Sequence, residues 1–265
     1  MGISAVINTR NAEEHLDRVL ESLKDFDEIV VCDMESTDST VEIARRHGAR
    51  VITFPKGNHT CAEPARNTAI QAASSEWVLM IDADELVSSE LREYLYDFIT
   101  HSGETAGLWI PRRNYYFGKW NQVTYPDYQL RFFKRDGTDW PPLVHTFPVV
   151  NGPTEYIPKE HIELALSHYP ASVVSQIDRI NRYTTGELTK RGIHRVTLWQ
   201  LWWEPWWRFF KAYILKGGWH RGIEGYISAK NDSIYRHFRL VKTYEKYQEG
   251  LQQSRPDDDL TQKAH

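Results

Sequence analysis

Hydrophobic and polar positions follow two alternating periods along the first hundred residues. The segment "ISAVIN" reads as a strand and residues 12–23 as an amphipathic helix. "EIVVC" is a second strand. It is followed by "STDSTVEIARRHG", a helix for which Ser36 or Thr37 is the expected cap and Gly48 the stop. "RVITF", a helix at 63–73, the strand "WVLMI" and a helix at 89–100 complete the series. This strand–helix order predicts an α/β fold with a mostly parallel sheet, right-handed crossovers and helices on both faces. After residue 105 the pattern breaks into short strand-like pieces, "GLWIPRRNYYFGKW", "YQLRFFKR", "HTFPVV" and "TEYIP", punctuated by Pro and Gly. From about residue 171 the chain turns helical, with helices expected at 176–191, 199–215 and 222–247 and Pro205 opening or kinking the second. The predicted organisation is a catalytic domain over 1–168, with halves 1–104 and 105–168. A helical subdomain follows over 169–248, then a polar tail over 249–265.

The stretch "WVLMIDADELVSSEL" (77–91) adds chemistry to this pattern. An apolar run that suits a strand buried on both faces ends in Asp82, Asp84 and Glu85. Three clustered carboxylates repel one another unless a cation or a helix N-terminus offsets the repulsion. Ser88 or Ser89 can cap the following helix, so a solvated capping loop explains the acids as well as a metal site does. Ligands of doubly wound sheets bind beyond the carboxyl ends of the strands, and Asn8, Asp33 and Asp82 all fall at those ends. A glycine-rich dinucleotide turn is missing after the first strand, where "NTRNAEEHL" stands, and there is no P-loop. Charge compensation by Mg²⁺ or Mn²⁺ is the other way to hold a diphosphate, and Asp82-x-Asp84 supplies ligands for it.

Composition narrows the classes. The chain has 265 residues and a net charge of −4, which gives no general case for nucleic acid. Two cysteines, Cys32 and Cys61, make no disulfide framework and fit a reducing compartment. The N-terminus enters a strand at once, leaving no room for a signal peptide, and no apolar run reaches the roughly 18 residues of a membrane span. Five of the ten tryptophans lie within 199–207, and between Lys190 and Lys242 eleven Lys/Arg face three Asp/Glu, a local balance of +8. Aromatic and basic excess together point to contact with an anionic membrane surface. Packing of these rings onto the protein, or a homo-oligomer contact, is the competing explanation.

The ordered segments "VINTRNAEEHLDRVLESL", "DEIVVCDMESTDSTVEIARRHGARV", "EPARNTAI", "EWVLMIDADELVSSELRE", "IPRRNYYFGKW", "YPDYQLRFF" and "LVH" resemble family 2 glycosyltransferases with the GT-A fold, and within them the lipopolysaccharide core β-glucosyltransferase subgroup. The similarity covers about residues 3–191. Two departures stand out: Met34 and Glu35 occupy a pair that is usually Ser-Gly, and Thr146 follows His145 where Glu is common.

The resemblance implies an inverting, metal-dependent transfer of a sugar, expected to be a hexose, from a UDP donor to a lipid-linked or lipopolysaccharide-core acceptor. The expected location is cytoplasmic, at the inner face of the cell membrane. By resemblance Thr9 and Arg10 lie near the nucleotide, Asp33 contacts base or ribose, Arg66 and Asn67 border the base, and Asp82 touches ribose or metal. Asp84 is the main metal ligand, His145 completes the shell with His168 as the alternative, Arg131 pairs with the diphosphate, and Asp127 is the general base. Plainer roles compete for several of these: a turn for Asp33 and Asp127, a solvated face for Arg66 and Arg131, a structural hydrogen bond for His145. Glu85 reads as support behind the ligands or as a helix cap. A sugar-phosphate nucleotidyltransferase and an inactive GT-A-like module that binds membranes or partners are the alternatives. The first lacks its glycine-rich start here.

Overall fold

The computed structural model describes residues 2–59, 61–116, 118–143, 146–169 and 173–253. The chain divides into two compact units, Met1–Ala171 and Ser172–His265.

The first unit opens as its periodicity predicts. β1 (Ile3–Thr9), α1 (Glu13–Leu23), β2 (Glu28–Asp33), α2 (Thr40–Arg46), β3 (Arg50–Thr53), α3 (Glu63–Ala72), β4 (Trp77–Asp82), β5 (Glu85–Leu86) and α4 (Ser89–His101) follow in order. β6 (Gly107–Ile110), β7 (Arg112–Tyr116), β8 (Lys119–Trp120), β9 (Gln129–Lys134), β10 (Thr154–Tyr156) and β11 (Leu166–His168) complete it. Seven strands form one sheet in the order β10-β6-β9-β4-β1-β2-β3, and β5-β11-β7-β8 form a second. β1 to β4 are mutually parallel, whereas β9 runs antiparallel to both β4 and β6.

All seven residues of β1 are buried, because helices cover both sheet faces. Strand parity then sorts the side chains. Ile3, Ala5 and Ile7, with Trp77, Leu79 and Ile81, face Leu16, Leu20, Leu91 and Leu95. Val6, Val78 and Met80 face the other way, toward Ala65, Ala69 and Ile70 of α3. Trp77 stacks on Phe132 with ring centroids 4.8 Å apart, tying β9 to β4. The chain leaves β1 toward β2 on one side and reaches β4 on the other, so the topological switch point lies between β1 and β4. There Asn8 pairs in register with Asp82, and on the other flank Thr9 pairs with Asp33.

Several local expectations are corrected. α2 begins at Thr40 after Ser39, not after Ser36 or Thr37, and Ser36 instead bonds Asp33. Ser88 caps α4 by accepting from the Leu91 amide at 3.1 Å, so Glu85 is not the cap. Of the strand expected over 145–150, the described residues form only an isolated pairing of Val149 with Asp139. β5 and β11 were not foreseen; two or three residues are too short to show a period.

In the second unit α5 (Val173–Arg191), α6 (Leu198–Phe210) and α7 (Gly222–Gln253) carry the chain, with one π-helical turn at Lys211–Leu215. Thr197 and Gln200 form a reciprocal capping box at the start of α6. Pro205 lies buried inside α6 and does not open it.

Candidate active site

Strand parity predicts where the β4 acid goes. Asp82 continues the Val78, Met80 face and so projects to the α3 side, where Arg66 meets its Oδ1 at 2.9 Å. Arg131 of β9 holds Oδ2 from the neighbouring strand. Both guanidiniums are buried, and they lie over the Trp140 ring at 4.3 Å (Arg66) and 5.9 Å (Arg131) from its centroid. Burial works against the charge on Asp82, but Arg131 and Arg66 overcome it and hold the carboxyl far below the ordinary range. Arg66 is thus not on a solvated helix face, nor Arg131 on a solvated strand.

Asn67 has a different place from the one expected. It donates to the Asp139 carboxylate (2.8 Å) and the Trp140 carbonyl (3.1 Å), and accepts from the Trp140 amide (2.7 Å). Its carboxamide therefore clamps the loop that sets Trp140 over Arg66. Asp33 accepts from Thr9 Oγ1 (3.1 Å), the Ser36 amide (2.9 Å) and Ser36 Oγ (2.5 Å), the turn role that its sequence context also allowed. Arg10 is exposed. Glu35 takes φ 56°, a left-handed conformation, at the position where the resembled pattern carries Gly. The backbone turn is kept although the glycine is gone, and the Glu35 carboxylate accepts from the Lys56 amide at 3.1 Å.

Glu85 and Arg112 join the halves of the site. Glu85 is fully buried, accepts from the Asp82 amide (3.0 Å) and pairs with Arg112 (2.9 Å) and Arg131 (3.4 Å). Arg112 also grips Asp127 through Nε (2.9 Å) and a terminal nitrogen (2.6 Å). Asn114 and Gln129 add donors to Asp127 at 2.9 and 3.1 Å. Burial raises the affinity of Asp127 for a proton, but Arg112, Asn114 and Gln129 reverse that and lower its pKa below the usual value. Asp127 is therefore more than a turn residue after Pro126. No sequence signal singled out Arg112 or Asn114, whose partners lie on other elements.

Asn114 also orders the metal-side residues. Its amide nitrogen donates to Asp127, so its Oδ1 is the acceptor that meets His168 Nδ1 at 2.6 Å. Nδ1 is therefore the donor in that bond, and Nε2 faces Asp84 Oδ2 at 3.3 Å. His168 reaches this point because β11 pairs with β5, with His168 opposite Glu85 and the Tyr169 amide bonded to the Asp84 carbonyl at 2.9 Å. An acidic oxygen beside an imidazole whose other nitrogen is hydrogen-bonded is a donor set that suits Mg²⁺ or Mn²⁺ when phosphate oxygens complete the shell. Among the described residues no three His, Cys, Asp or Glu side chains gather into a metal cage. His145 lies outside the described residues.

Buried polar atoms at this rim remain without partners among the described residues: both amide atoms of Asn8, and Nε and one terminal nitrogen of each of Arg66 and Arg131. Such groups mark a place where a polar ligand or water completes the bonding. Guanidinium donors beside a strand-end amide fit a phosphorylated, sugar-bearing molecule.

Comparison with known proteins shows the family and the fold. The protein-family model described as "Glycosyl transferase family 2" matches residues 4–151. A glycosyltransferase of Rickettsia felis is 29% identical over 92% of this chain and 89% of its own length. The lipopolysaccharide core biosynthesis glycosyltransferase LpsC of Rhizobium meliloti is 26% identical over 92% of this chain and 93% of its own. Among solved structures, S. aureus TarS 1–349 in complex with UDP-GlcNAc superposes with a TM-score of 0.51 at 15% identity, covering 96% of this chain and 92% of that one. That likeness shows the fold.

Proposed function

We propose that this chain, which belongs to glycosyl transferase family 2 and is a glycosyltransferase of the GT-A fold, is an inverting, metal-dependent enzyme that moves a hexose from a UDP-sugar to a lipid-linked or lipopolysaccharide-core acceptor. Family membership sets the nucleotidyltransferase alternative aside. The observation that carries the mechanistic reading is the unbroken side-chain series Asp84–His168–Asn114–Asp127. It supports reading Asp84 and His168 as a cation-binding pair, with the carboxylate of Asp127 set apart from them.

Asp84 and His168 would hold the divalent ion, which supplies charge stabilisation for the departing diphosphate. Asp82, already neutralised by Arg66 and Arg131, suits the ribose side better than the metal. The unpartnered donors of Arg66 and Arg131 would bind and orient the phosphate oxygens. Asp127 would accept the proton of the acceptor hydroxyl as its oxygen bonds the anomeric carbon and the bond to the diphosphate breaks. Arg112 keeps Asp127 ionised and fixed in direction while lowering its basicity, which suits a proton transfer that comes late in the displacement. One displacement inverts the configuration, and no side chain is assigned as a covalent nucleophile.

The UDP preference draws on TarS and the acceptor class on LpsC, each by likeness. A lipid-linked acceptor places the work at the inner face of the membrane, with the protein held there peripherally. Among the described residues no helix is long and apolar enough to cross a membrane.

The test is thermal stabilisation by UDP and UDP-sugars with and without Mn²⁺. Wild-type protein should melt higher with both ligands together, since ligand binding to the folded state stabilises it by mass action. Asp84→Asn and His168→Gln should each weaken the Mn²⁺-dependent part at least roughly tenfold. Unchanged UDP binding and metal dependence in both variants would remove the metal assignment.

A further inference from the structure

The α6 helix is built inside out. With about 100° of rotation per residue, Leu198, Trp199, Trp202, Trp203, Trp206, Trp207 and Phe210 fill one uninterrupted half of its circumference. That half is largely exposed: Leu198 is 83% exposed, Trp199 63%, Trp202 60% and Trp206 44%. The opposite half holds Glu204, which pairs with Arg236 of α7, and the buried Pro205. A surface helix ordinarily presents the opposite arrangement, apolar residues inward and charges outward.

The outward rings are not loose. Trp199 stacks on Trp203 at 5.7 Å with planes 5° apart, Trp203 on Trp206 at 5.1 Å, and Trp206 on Phe210 at 5.3 Å. They form a continuous run of stacked rings, and Leu215, Trp219 and Ile223 further along the chain are exposed as well. Charge around the slab has one sign. Between Thr197 and Ile223 the only acidic residue is Glu204, and it is paired inward. Arg208, Lys211, Lys216 and His220 are exposed in the same stretch.

We propose that this aromatic half of α6 is a docking surface for an anionic lipid membrane. The indole-rich slab enters the headgroup region and the basic residues meet the lipid phosphates. Trp suits that interface, where one end of the ring is apolar and the N–H stays wet. The proposal deepens the lipid-linked acceptor reading by naming the partner surface, but it stands on the helix geometry alone. A contact between two copies of the chain would also cover the slab. It would bring the exposed cations of the two copies together, with Glu204, the one acid of the stretch, already paired to Arg236.

The experiment uses the full chain and vesicles of phosphatidylcholine alone or mixed with phosphatidylglycerol, some carrying brominated acyl chains. Binding should occur with the anionic vesicles at low salt, with tryptophan fluorescence quenched by bromine, and should fall as salt rises. Replacing Arg208, Lys211 and Lys216 together by Gln should weaken partitioning roughly a hundredfold. Trp199→Ser with Trp202→Ser and Trp206→Ser should abolish the quenching while the melting temperature holds. Two results overturn the proposal: absence of sedimentation with anionic vesicles at low salt, or a dimer that the tryptophan variant dissociates without any effect on vesicle binding. UDP-dependent stabilisation, measured on the same samples, reports separately on the transferase reading.

Discussion

The two units break the usual inside–outside rule in opposite directions. In Met1–Ala171 charge is buried: Glu85, Arg131 and Arg66 lie at or near zero exposure among apolar layers. In Ser172–His265 aromatic side chains are turned outward along α6. Buried charge persists only when each group is paired, and here Asp82, Glu85 and Asp127 share Arg66, Arg131 and Arg112 in one connected network. Exposed aromatic area has no such compensation among the described residues, and under our proposal a membrane surface supplies it. The first exception is satisfied from within and the second is proposed to be satisfied from without, and substitution separates the two.

The largest effect should come from the buried side of the comparison. Trp77→Ala removes a fully buried ring stacked on Phe132 and should lower unfolding free energy by about 3–5 kcal/mol, read from denaturant melts. A loss under 1 kcal/mol would mean that the β4–β9 packing is not the core described.

Next comes acid. Glu28 is desolvated, which raises its pKa, yet Ser4, Ser74 and Arg50 bring it down to about 2. A carboxyl depressed in the folded state contributes stability above its unfolded pKa and loses it as pH falls through the folded value. Stability should therefore drop between about pH 4.5 and 2, by roughly 3 kcal/mol at most from this group. Glu28→Gln should flatten that part of the wild-type pH–stability curve. A curve of the same steepness in the variant would assign the loss to other groups.

Asp127→Asn should reduce turnover by roughly a hundredfold or more, the scale of general-base catalysis, with little change in donor affinity. Steady-state kinetics with a labelled UDP-sugar measures both, and near-normal turnover would send the search for the base elsewhere. The smallest effect should come from the outward-facing side. Trp202→Ala should change stability by no more than about 0.5 kcal/mol, as surface substitutions do. A Trp202→Ala loss comparable with that of Trp77→Ala would show that the slab is structural packing.

Much of the first unit was legible because its signals are local. The period of α1 and α4, the apolar runs of β1 and β4 and the positive-φ stop at Gly48 each lie within a few residues. The strand-end positions of Asn8, Asp33 and Asp82 followed from the same runs. Partners were not legible, because pairing depends on folding distant segments together. Arg131 lies 49 positions from Asp82, and His168 meets Asn114 across 54. Asn67 shows the limit clearly: its place in "ARN" suggested the nucleotide, whereas a loop 72 and 73 positions away takes up its amide.

The sequence by itself determined the alternation of strands and helices, the acidic rim and the coincidence of tryptophan with basic charge, since each is a property of neighbouring residues. Only the tertiary structure decided that Asp82 is locked between two arginines, that His168 stands beside Asp84, and that the aromatic half of α6 looks outward. Those facts depend on strand order and helix packing, which bring together or keep apart residues that are far from one another in the chain. An all-aromatic helix face reads the same whether it turns in or out, and only the fold shows that the opposite face carries Glu204 paired with Arg236.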